Sequence, residues 1–334
     1  MVIQVHTRQR DYDIILERGV LSRASQVIAN PGHPFLISDD GVPEVWRNML
    51  KNQYPDSRMY VFRQGEGSKC METYQSILAA MLAEHVSRND TVIALGGGVV
   101  GDLAGFCAAT YMRGIRYVNI PTTSLSQIDS SIGGKTAVDM CGIKNCVGAF
   151  WQPSQVLIDP DTLSTLDDRQ LHAGLAEAVK AGLIRDPGLF RIFEQDDYLE
   201  HIDEIIERSL IVKKQIVEND ERESGERKLL NFGHTYGHAY ESFYELGAYL
   251  HGECVAAGMM TVLKNKDIKE RLGKVLAGLH LPVGFDADRE KICELIRSDK
   301  KADHDTVTIV QVDEIGRGHL ESWSQDDIRK GIGL

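Results

Sequence analysis

No apolar run in this 334-residue chain approaches the ~18 residues of a membrane-spanning helix, and the N-terminus lacks a secretory pattern. Those absences set the expectation of a cytoplasmic protein with no membrane partner. The chain also lacks an excess of positive charge. Its 37 Lys and Arg against 49 Asp and Glu give a net charge of −12, which argues against nucleic acid as a partner. An anionic small substrate stays compatible if basic residues are concentrated locally. There is no CxxC pair either: Cys70, Cys107, Cys141, Cys146, Cys254 and Cys293 are scattered. That excludes a zinc ribbon or a disulfide framework and fits reduced thiols in a cytosol. No internal repeat, low-complexity tract or long linker is present.

What is there describes an ordinary globular chain, 43% apolar and 26% charged, and long enough for two domains. In the first half, short apolar runs alternate with helical stretches. Val2–Val5, Tyr12–Leu16, Phe35–Ser38, Met59–Phe62, Thr91–Leu95, Tyr117–Ile120 and Gln155–Ile158 read as strands. Val45–Lys51, Met71–Val86 and Val100–Tyr111 read as helices between them. Continuous apolar strands separated by amphipathic helices predict a parallel sheet covered on both faces, an α/β domain.

Leu95 is followed by Gly96-Gly97-Gly98-Val99-Val100-Gly101-Asp102, a GxGxxG pattern between a strand and a helix. Glycines there let backbone N–H groups and a helix N-terminus approach a pyrophosphate. The ribose-binding acid expected about twenty residues on is missing, since Tyr117 to Thr123 contains no carboxylate, and the loop follows a late strand. The reading is a phosphate cradle outside the standard dinucleotide pattern; a close-packed strand-to-helix turn is the alternative. Downstream lie Pro121-Thr122-Thr123-Ser124, Asp129 to Thr136, and Lys144-Asn145. A glycine-flanked Lys135 among hydroxyls suits an anion pocket, or is a solvated loop lysine.

The second half turns helical. From Asp168 to Arg185, Leu171, Leu175, Val179 and Leu183 form a stripe, and small residues crowd the other positions. Glu177 and Lys180 are out of place there: they pair with each other at i, i+3, or Glu177 finds a metal. On the Asp203–Val217 helix, Lys213 falls inside the arc of Ile206, Leu210 and Val217; it snorkels or meets an anion. Arg227 to Glu253 is the densest stretch. On one helix Asn231, His234 and His238 would share a face, and His251 lies thirteen residues beyond His238. Neutral imidazoles gathered this way suit Zn²⁺ or Co²⁺; two surface histidines and an unrelated third are the alternative. The chain closes with Asp299-Lys300-Lys301, a strand-like Thr306–Val312 and a polar tail.

Together these segments resemble the 3-dehydroquinate synthases, within the wider sugar-phosphate cyclase family. The carrying motifs are Gly96–Gly105, Met112-Arg113-Gly114, Pro121-Thr122-Thr123, Asp129–Thr136 and Lys144-Asn145, then Gly174–Lys180, Asp220–Arg227, Asn231–His238 and Leu250–Glu253. The resemblance covers nearly the whole chain. It implies an NAD-binding α/β domain over 1–161, a mostly α-helical metal- and substrate-binding domain over 162–334, and an active site between them. It implies metal ligands Glu177, His234 and His251, leaving His238 for the substrate, whereas local spacing alone pairs His234 with His238. NAD contacts would fall on Asp39, Glu66, Lys69, Gly97, Gly98, Val99, Gly101 and Asp102. Further NAD contacts would fall on Thr122, Thr123, Lys144, Thr162 and Thr165, with Lys135 between cofactor and substrate. Substrate contacts would fall on Asp129, Asn145, Lys180, Lys213, Arg227, Asn231, His238 and Lys301. Arg113 would enter a neighbouring subunit's site, implying a homodimer.

The implied reaction turns 3-deoxy-D-arabino-heptulosonate 7-phosphate into 3-dehydroquinate and phosphate. It runs by transient oxidation with NAD, phosphate elimination, re-reduction and aldol cyclisation, aided by Zn²⁺ or Co²⁺. A sister cyclase and a metal-dependent polyol dehydrogenase are the rivals. Two departures stand out: Asp139-Met140-Cys141-Gly142-Ile143 replaces the family's usual Asn-x-Pro-x-Gly, and Met259 to Pro282 is shorter than usual.

Overall fold

A computed structural model describes residues 1–244, 248–299 and 306–334, leaving aside the side chains of 298 and 299. The predicted substrate residue Lys301 lies outside the described residues. The chain divides into two units, Met1–Asp167 and Asp168–Leu334. The first unit therefore takes in Thr162 and Thr165, which the division at 161/162 assigns to the second. The reason is local: Gln127 Nε2 donates to Thr162 Oγ1 at 2.9 Å and Trp46 Nε1 to Thr165 Oγ1 at 2.8 Å.

Nine strands lie in the first unit: β1 (Val2–Val5), β2 (Tyr12–Leu16), β3 (Phe35–Asp39), β4 (Met59–Phe62), β5 (Thr91–Gly96), β6 (Arg116–Pro121), β7 (Lys135–Met140), β8 (Ile143–Phe150) and β9 (Gln155–Ile158). Seven form one sheet in the order β1-β2-β9-β6-β5-β3-β4. Pairing is parallel from β2 to β4, and only the edge strand β1 runs antiparallel. Alternate residues of β3 and β5 feed two cores. Phe35, Ile37, Val92 and Ala94 pack with Ile77, Met81 and Leu103 on one face. Leu36, Ile93 and Leu95 pack with Val20, Leu21 and Leu50 on the other. Each such aliphatic side chain contributes roughly 1.5–3 kcal/mol on burial, which is why these strands read as unbroken apolar runs.

The cores also show how the chain reverses. The crossover helix Glu44–Lys51 contributes Leu50 to one core, whereas Met71–Ala83 and Gly98–Thr110 contribute to the other. Right-handed crossovers demand this, because β3 to β4 moves one way across the sheet and β4 to β5 to β6 moves back. The carboxyl ends of β3 and β5 thus flank a topological switch point, where open α/β sheets bind ligands.

Strands β7 and β8 form a separate hairpin in a stretch whose sequence pattern reads as loops. Met140 pairs with Ile143, so Cys141-Gly142 is a two-residue turn, with φ of 53° and 77°. Positive φ at both central residues is the geometry that suits the right-handed twist of a hairpin. The altered Asp139–Ile143 stretch therefore makes a tight turn. Lys135 opens β7 and Lys144 lies within β8.

The second unit is mostly helical. Its main helices are Asp168–Ile184, Ile202–Asn219, His234–Phe243, His251–Val262, Lys266–Gly278 and Arg289–Asp299. The shortened Met259–Pro282 segment retains the 13-residue helix Lys266–Gly278, capped by Asn265. The expected polar tail is a hairpin arm, Arg317–Ser324, and a closing helix, Gln325–Gly331. Trp323 and Ile328 are buried there, and Ile328 O accepts from Tyr236 Oη at 2.8 Å. One site expectation also changes. Asn231 does not share a helix with His234 and His238, because it ends the 3₁₀ turn Glu226–Asn231. Extended Phe232 and left-handed Gly233 (φ 80°) intervene, and the α-helix starts at His234. A Cβ on Gly233 would lie 2.6 Å from Met259 Cγ and 2.7 Å from Val255 O. The two histidine-bearing helices approach closely at that point.

Candidate active site

Three helices of the second unit bring Glu177, His234 and His251 together. Glu177 sits deep in the Asp168–Ile184 helix; His234 and His251 are each the first residue of their own helices. Glu177 Oε1 lies 3.7 Å from His234 Nε2 and 3.4 Å from His251 Nε2. One donor atom from each of the three residues falls within 4.8 Å of the others. His234 Nδ1 donates to Phe232 O at 3.2 Å, and His251 Nδ1 donates to Glu241 Oε1 at 3.2 Å. With each Nδ1 engaged in this way, each Nε2 faces the carboxylate, so that a ring in its neutral form directs its Nε2 lone pair into the space between them.

The electrostatics of the cluster are strong. Burial pushes the Glu177 carboxyl up, but Lys180 and the two histidines outweigh it and hold it well below the usual range. Burial and the neighbouring Lys180 ammonium pull His234 well down, keeping it neutral. For His251, burial pulls down, yet the carboxylates of Glu177 and Glu241 push it up to about 9. A metal ion binding there would displace a proton.

The donor set fits a divalent transition metal. Neither buried oxygen of Glu177 accepts a well-formed hydrogen bond among the described residues, although the Lys180 ammonium is in ion-pair contact with Oε2. The 3.4 and 3.7 Å N···O separations are long for hydrogen bonds. They approach the spacing of about 3.4 Å that two donors have when each is ~2.0–2.1 Å from a tetrahedral ion. A second trio, His238, Glu241 and His251, also brings its donor atoms within 4.8 Å. His238 is exposed, with its ring 5.4 Å from that of His234.

Around this centre the unit collects further polar groups. Lys180, Lys213 and Arg227 are all buried. Arg227 Nη1 donates to Glu221 O at 2.5 Å, and Asn231 Nδ2 to Glu223 Oε1 at 2.5 Å. The intervening loop is organised by Asp220, whose carboxylate accepts from Ser224 N, Gly225 N and Arg227 N. Those backbone donors overcome the burial cost and lower its pKa to about 2.

In the first unit the predicted nucleotide residues end or follow β3, β4, β5, β6 and β9 along the chain, except Lys135 and Lys144, which lie in the β7–β8 hairpin. The Gly98–Thr110 helix starts after Gly97 without a side-chain cap on its first N–H groups. A Cβ on Gly97 would lie 3.1 Å from Thr123 Cγ2, and one on Gly98 3.3 Å from Ser130 Oγ. At the end of β3, Asp39 Oδ1 accepts from Gly41 N and Val42 N, both at 3.0 Å. Burial nonetheless raises its pKa. Lys69, buried, bridges Asp102 at 2.9 Å and Glu66 at 3.3 Å, joining three predicted residues in one network. Thr122 N donates to Gly96 O at 3.0 Å, closing the β5–β6 end. Thr162 Oγ1 donates to Asp159 O at 2.8 Å and Thr165 Oγ1 to Thr162 O at 3.1 Å, while the two hydroxyls accept from Gln127 and Trp46. Asn145 is exposed and its N–H donates to Asp139 Oδ1 at 2.7 Å. Arg113 is exposed in a left-handed turn, with φ of 49°, 68° and 116° at Met112, Arg113 and Gly114. Two of these are non-glycine, a conformation that costs roughly 1 kcal/mol or more each.

Glu223 and Glu241, which meet Asn231 and His251, are carboxylates that sequence reasoning does not single out. Both sit within motifs that draw attention, and nothing in spacing says which acid meets which imidazole.

A parallel α/β unit with a glycine-lined switch point, followed by a helical unit with a Glu/His₂ centre, is the architecture of the NAD-linked sugar-phosphate cyclases. The chain aligns with a 2-deoxy-scyllo-inosose synthase solved with carbaglucose-6-phosphate, NAD⁺ and Co²⁺ (TM-score 0.90, 24% identity, 99% of each chain). It also aligns with the 2-epi-5-epi-valiolone synthase of Streptomyces hygroscopicus solved with NAD⁺ and Zn²⁺ (TM-score 0.88, 28% identity, 98% and 97% of the two chains). The 3-dehydroquinate synthase N-terminal family matches residues 59–173, and the C-terminal family matches residues 174–302. The 3-dehydroquinate synthase of Clostridium acetobutylicum is 40% identical over 98% of each chain, and that of Streptococcus thermophilus 40% over 96% of each. The chain belongs to the 3-dehydroquinate synthase family.

Proposed function

We propose that this chain converts 3-deoxy-D-arabino-heptulosonate 7-phosphate into 3-dehydroquinate and phosphate, using NAD and one divalent metal. The observation that carries the reading is the end-to-end identity with 3-dehydroquinate synthases, in a chain whose Glu177, His234 and His251 converge. Glu177, His234 and His251 hold the metal, and the crevice between β3 and β5 holds NAD. NAD supplies a transient hydride acceptor, and the metal supplies a Lewis acid. The N₂O donor set suits Zn²⁺ or Co²⁺ alike.

The rest is done by side chains. Phe232 O and Glu241 orient the two imidazoles. Lys180, Lys213 and Arg227 concentrate positive charge in a chain of net −12, which suits an anionic substrate. Arg227's planar fork suits the phosphate and Asn231 a hydroxyl. His238, exposed beside the centre, moves a proton at its imidazole. In the first unit Asp129, Lys135, Lys144 and Asn145 contact cofactor or substrate. Arg113, on its exposed turn, serves the site of a second subunit in a homodimer. The six cysteines are all free thiols, which suits a cytoplasmic setting. No helix among the described residues is long and apolar enough to cross a membrane.

The test is redox bookkeeping. With the heptulosonate phosphate, metal and substoichiometric NAD⁺, phosphate release should run for many turnovers while NADH absorbance stays near baseline. Deuterium at the substrate's C5 should be retained in the carbocycle. Stoichiometric NADH without phosphate would instead support the dehydrogenase reading.

A further inference from the structure

His251 is the first residue of its helix, and terminal turns are where helices fray, so a metal ligand placed there has to be held still. Leu250 precedes it at the cap and offers no polar side chain. The capping is done from inside the helix by Glu253, whose Oε2 accepts from Leu250 N at 2.8 Å. The same carboxylate receives a bidentate fork from Arg169, with Nε to Oε1 at 2.6 Å and Nη2 to Oε2 at 2.8 Å. Arg169 Nη2 also donates to Ala248 O at 3.2 Å, so one guanidinium holds both the carboxylate and the chain leading into the helix.

Arg169 is the second residue of the Asp168–Ile184 helix, which carries Glu177 about two turns further on. The fork therefore ties the start of the His251 helix to the helix that carries its partner ligand. Between them, a Cβ on Gly252 would overlap Ala173 O, so the two backbones touch beside the clamp. His251, Gly252 and Glu253 then have three separate jobs: ligand, close approach and clamp.

We infer that Arg169 and Glu253 are positioning residues that set the Glu177–His251 chelate, and hence metal affinity, without touching metal or substrate. This rests on Glu177, His234 and His251 being the metal ligands, as proposed above. Outer-shell partners of this kind typically govern affinity by about 10–100-fold. Arg169's side chain is 55% exposed, so its truncation leaves no large cavity.

The experiment titrates metal-free protein with Co²⁺, with no substrate or NAD, and reads the visible d–d spectrum and Kd; melting of the metal-free protein is followed in parallel. Arg169→Ala should raise the Kd about tenfold or more and alter the spectrum, while the metal-free melt changes little. Arg169→Lys, which keeps the charge but loses the fork, should recover only part of the affinity. If Arg169→Ala does not fold, Glu253→Gln serves in its place, because it keeps an acceptor for Leu250 N while weakening the fork. An unchanged Kd and spectrum in the variant that folds would overturn the inference. His251→Ala is the control: if it binds Co²⁺ like the parent, the metal assignment itself fails, a result distinguishable from failure of the clamp alone.

Discussion

Glu177→Gln is the most informative single substitution, because it separates the carboxylate's charge from its shape. Glu177 and Lys180 are among the most deeply buried ionisable groups, their side chains 1% and 2% exposed, and they are in ion-pair contact. Removing one partner strands the other charge, which typically costs about 3–5 kcal/mol in such a setting. For a unit of this size each kcal/mol lowers the melting temperature by roughly 2–4 °C, so metal-free Glu177→Gln should melt about 6–20 °C lower. Replacing the stranded ammonium should undo most of that loss, since an apolar chain of similar volume is tolerated where a buried ion pair stood. Glu177→Gln/Lys180→Met should therefore melt above Glu177→Gln. The assay is circular dichroism of all four members of the cycle, stripped of metal, at neutral pH. Neither variant that lacks the carboxylate should bind Co²⁺ as the parent does, so stability and metal affinity come apart. If Glu177→Gln melts with the parent, or Lys180→Met restores nothing, the buried charge pair does not carry the energy assigned to it.

Three further outcomes are expected. His251→Ala should purify without metal whereas His238→Ala retains it and loses turnover; elemental analysis decides, and a metal-free His238→Ala would transfer the assignment to the His238–Glu241–His251 trio. Arg113→Ala and Lys213→Met homodimers should each be nearly inactive, yet verified heterodimers should recover one intact site; no recovery would place Arg113 outside the partner's site. Asp220, whose folded pKa is depressed to about 2, contributes stability that is present above its unfolded value near 4 and lost as pH falls toward 2. Asp220→Asn should flatten the acid limb of the melting curve across that window, and an unchanged limb would show that the loop does not depend on the charge.

Much of this protein was decided by periodicity and composition. Seven apolar runs became the seven strands of the sheet; the central strands β3 and β5 are buried at every residue, which favours unbroken apolar runs, whereas the edge strands β1 and β4 are only partly buried. The helices carrying Glu177 and Lys213 were legible for the converse reason: a charged residue inside an apolar arc needs a partner, and both proved buried. The GxGxxG stretch announced a strand-to-helix turn, and β5 does pass there into the Gly98–Thr110 helix.

Contacts between distant segments were beyond that reach. Nothing in Lys135–Phe150 says that two stretches of mixed polarity pair as a hairpin, since their alternation is weak and the turn rests on left-handed Cys141 and Gly142. Spacing put Asn231 on a helix that left-handed Gly233 breaks, at a point where only a residue without a side chain fits beside Val255 and Met259 of another helix. Above all, spacing favours His234 with His238, four residues apart, whereas the fold brings His251 to Glu177 from a separate helix. Donor convergence is a three-dimensional property: it depends on the angle and distance at which three helices pack, and on Phe232 O and Glu241 turning two imidazoles toward one carboxylate.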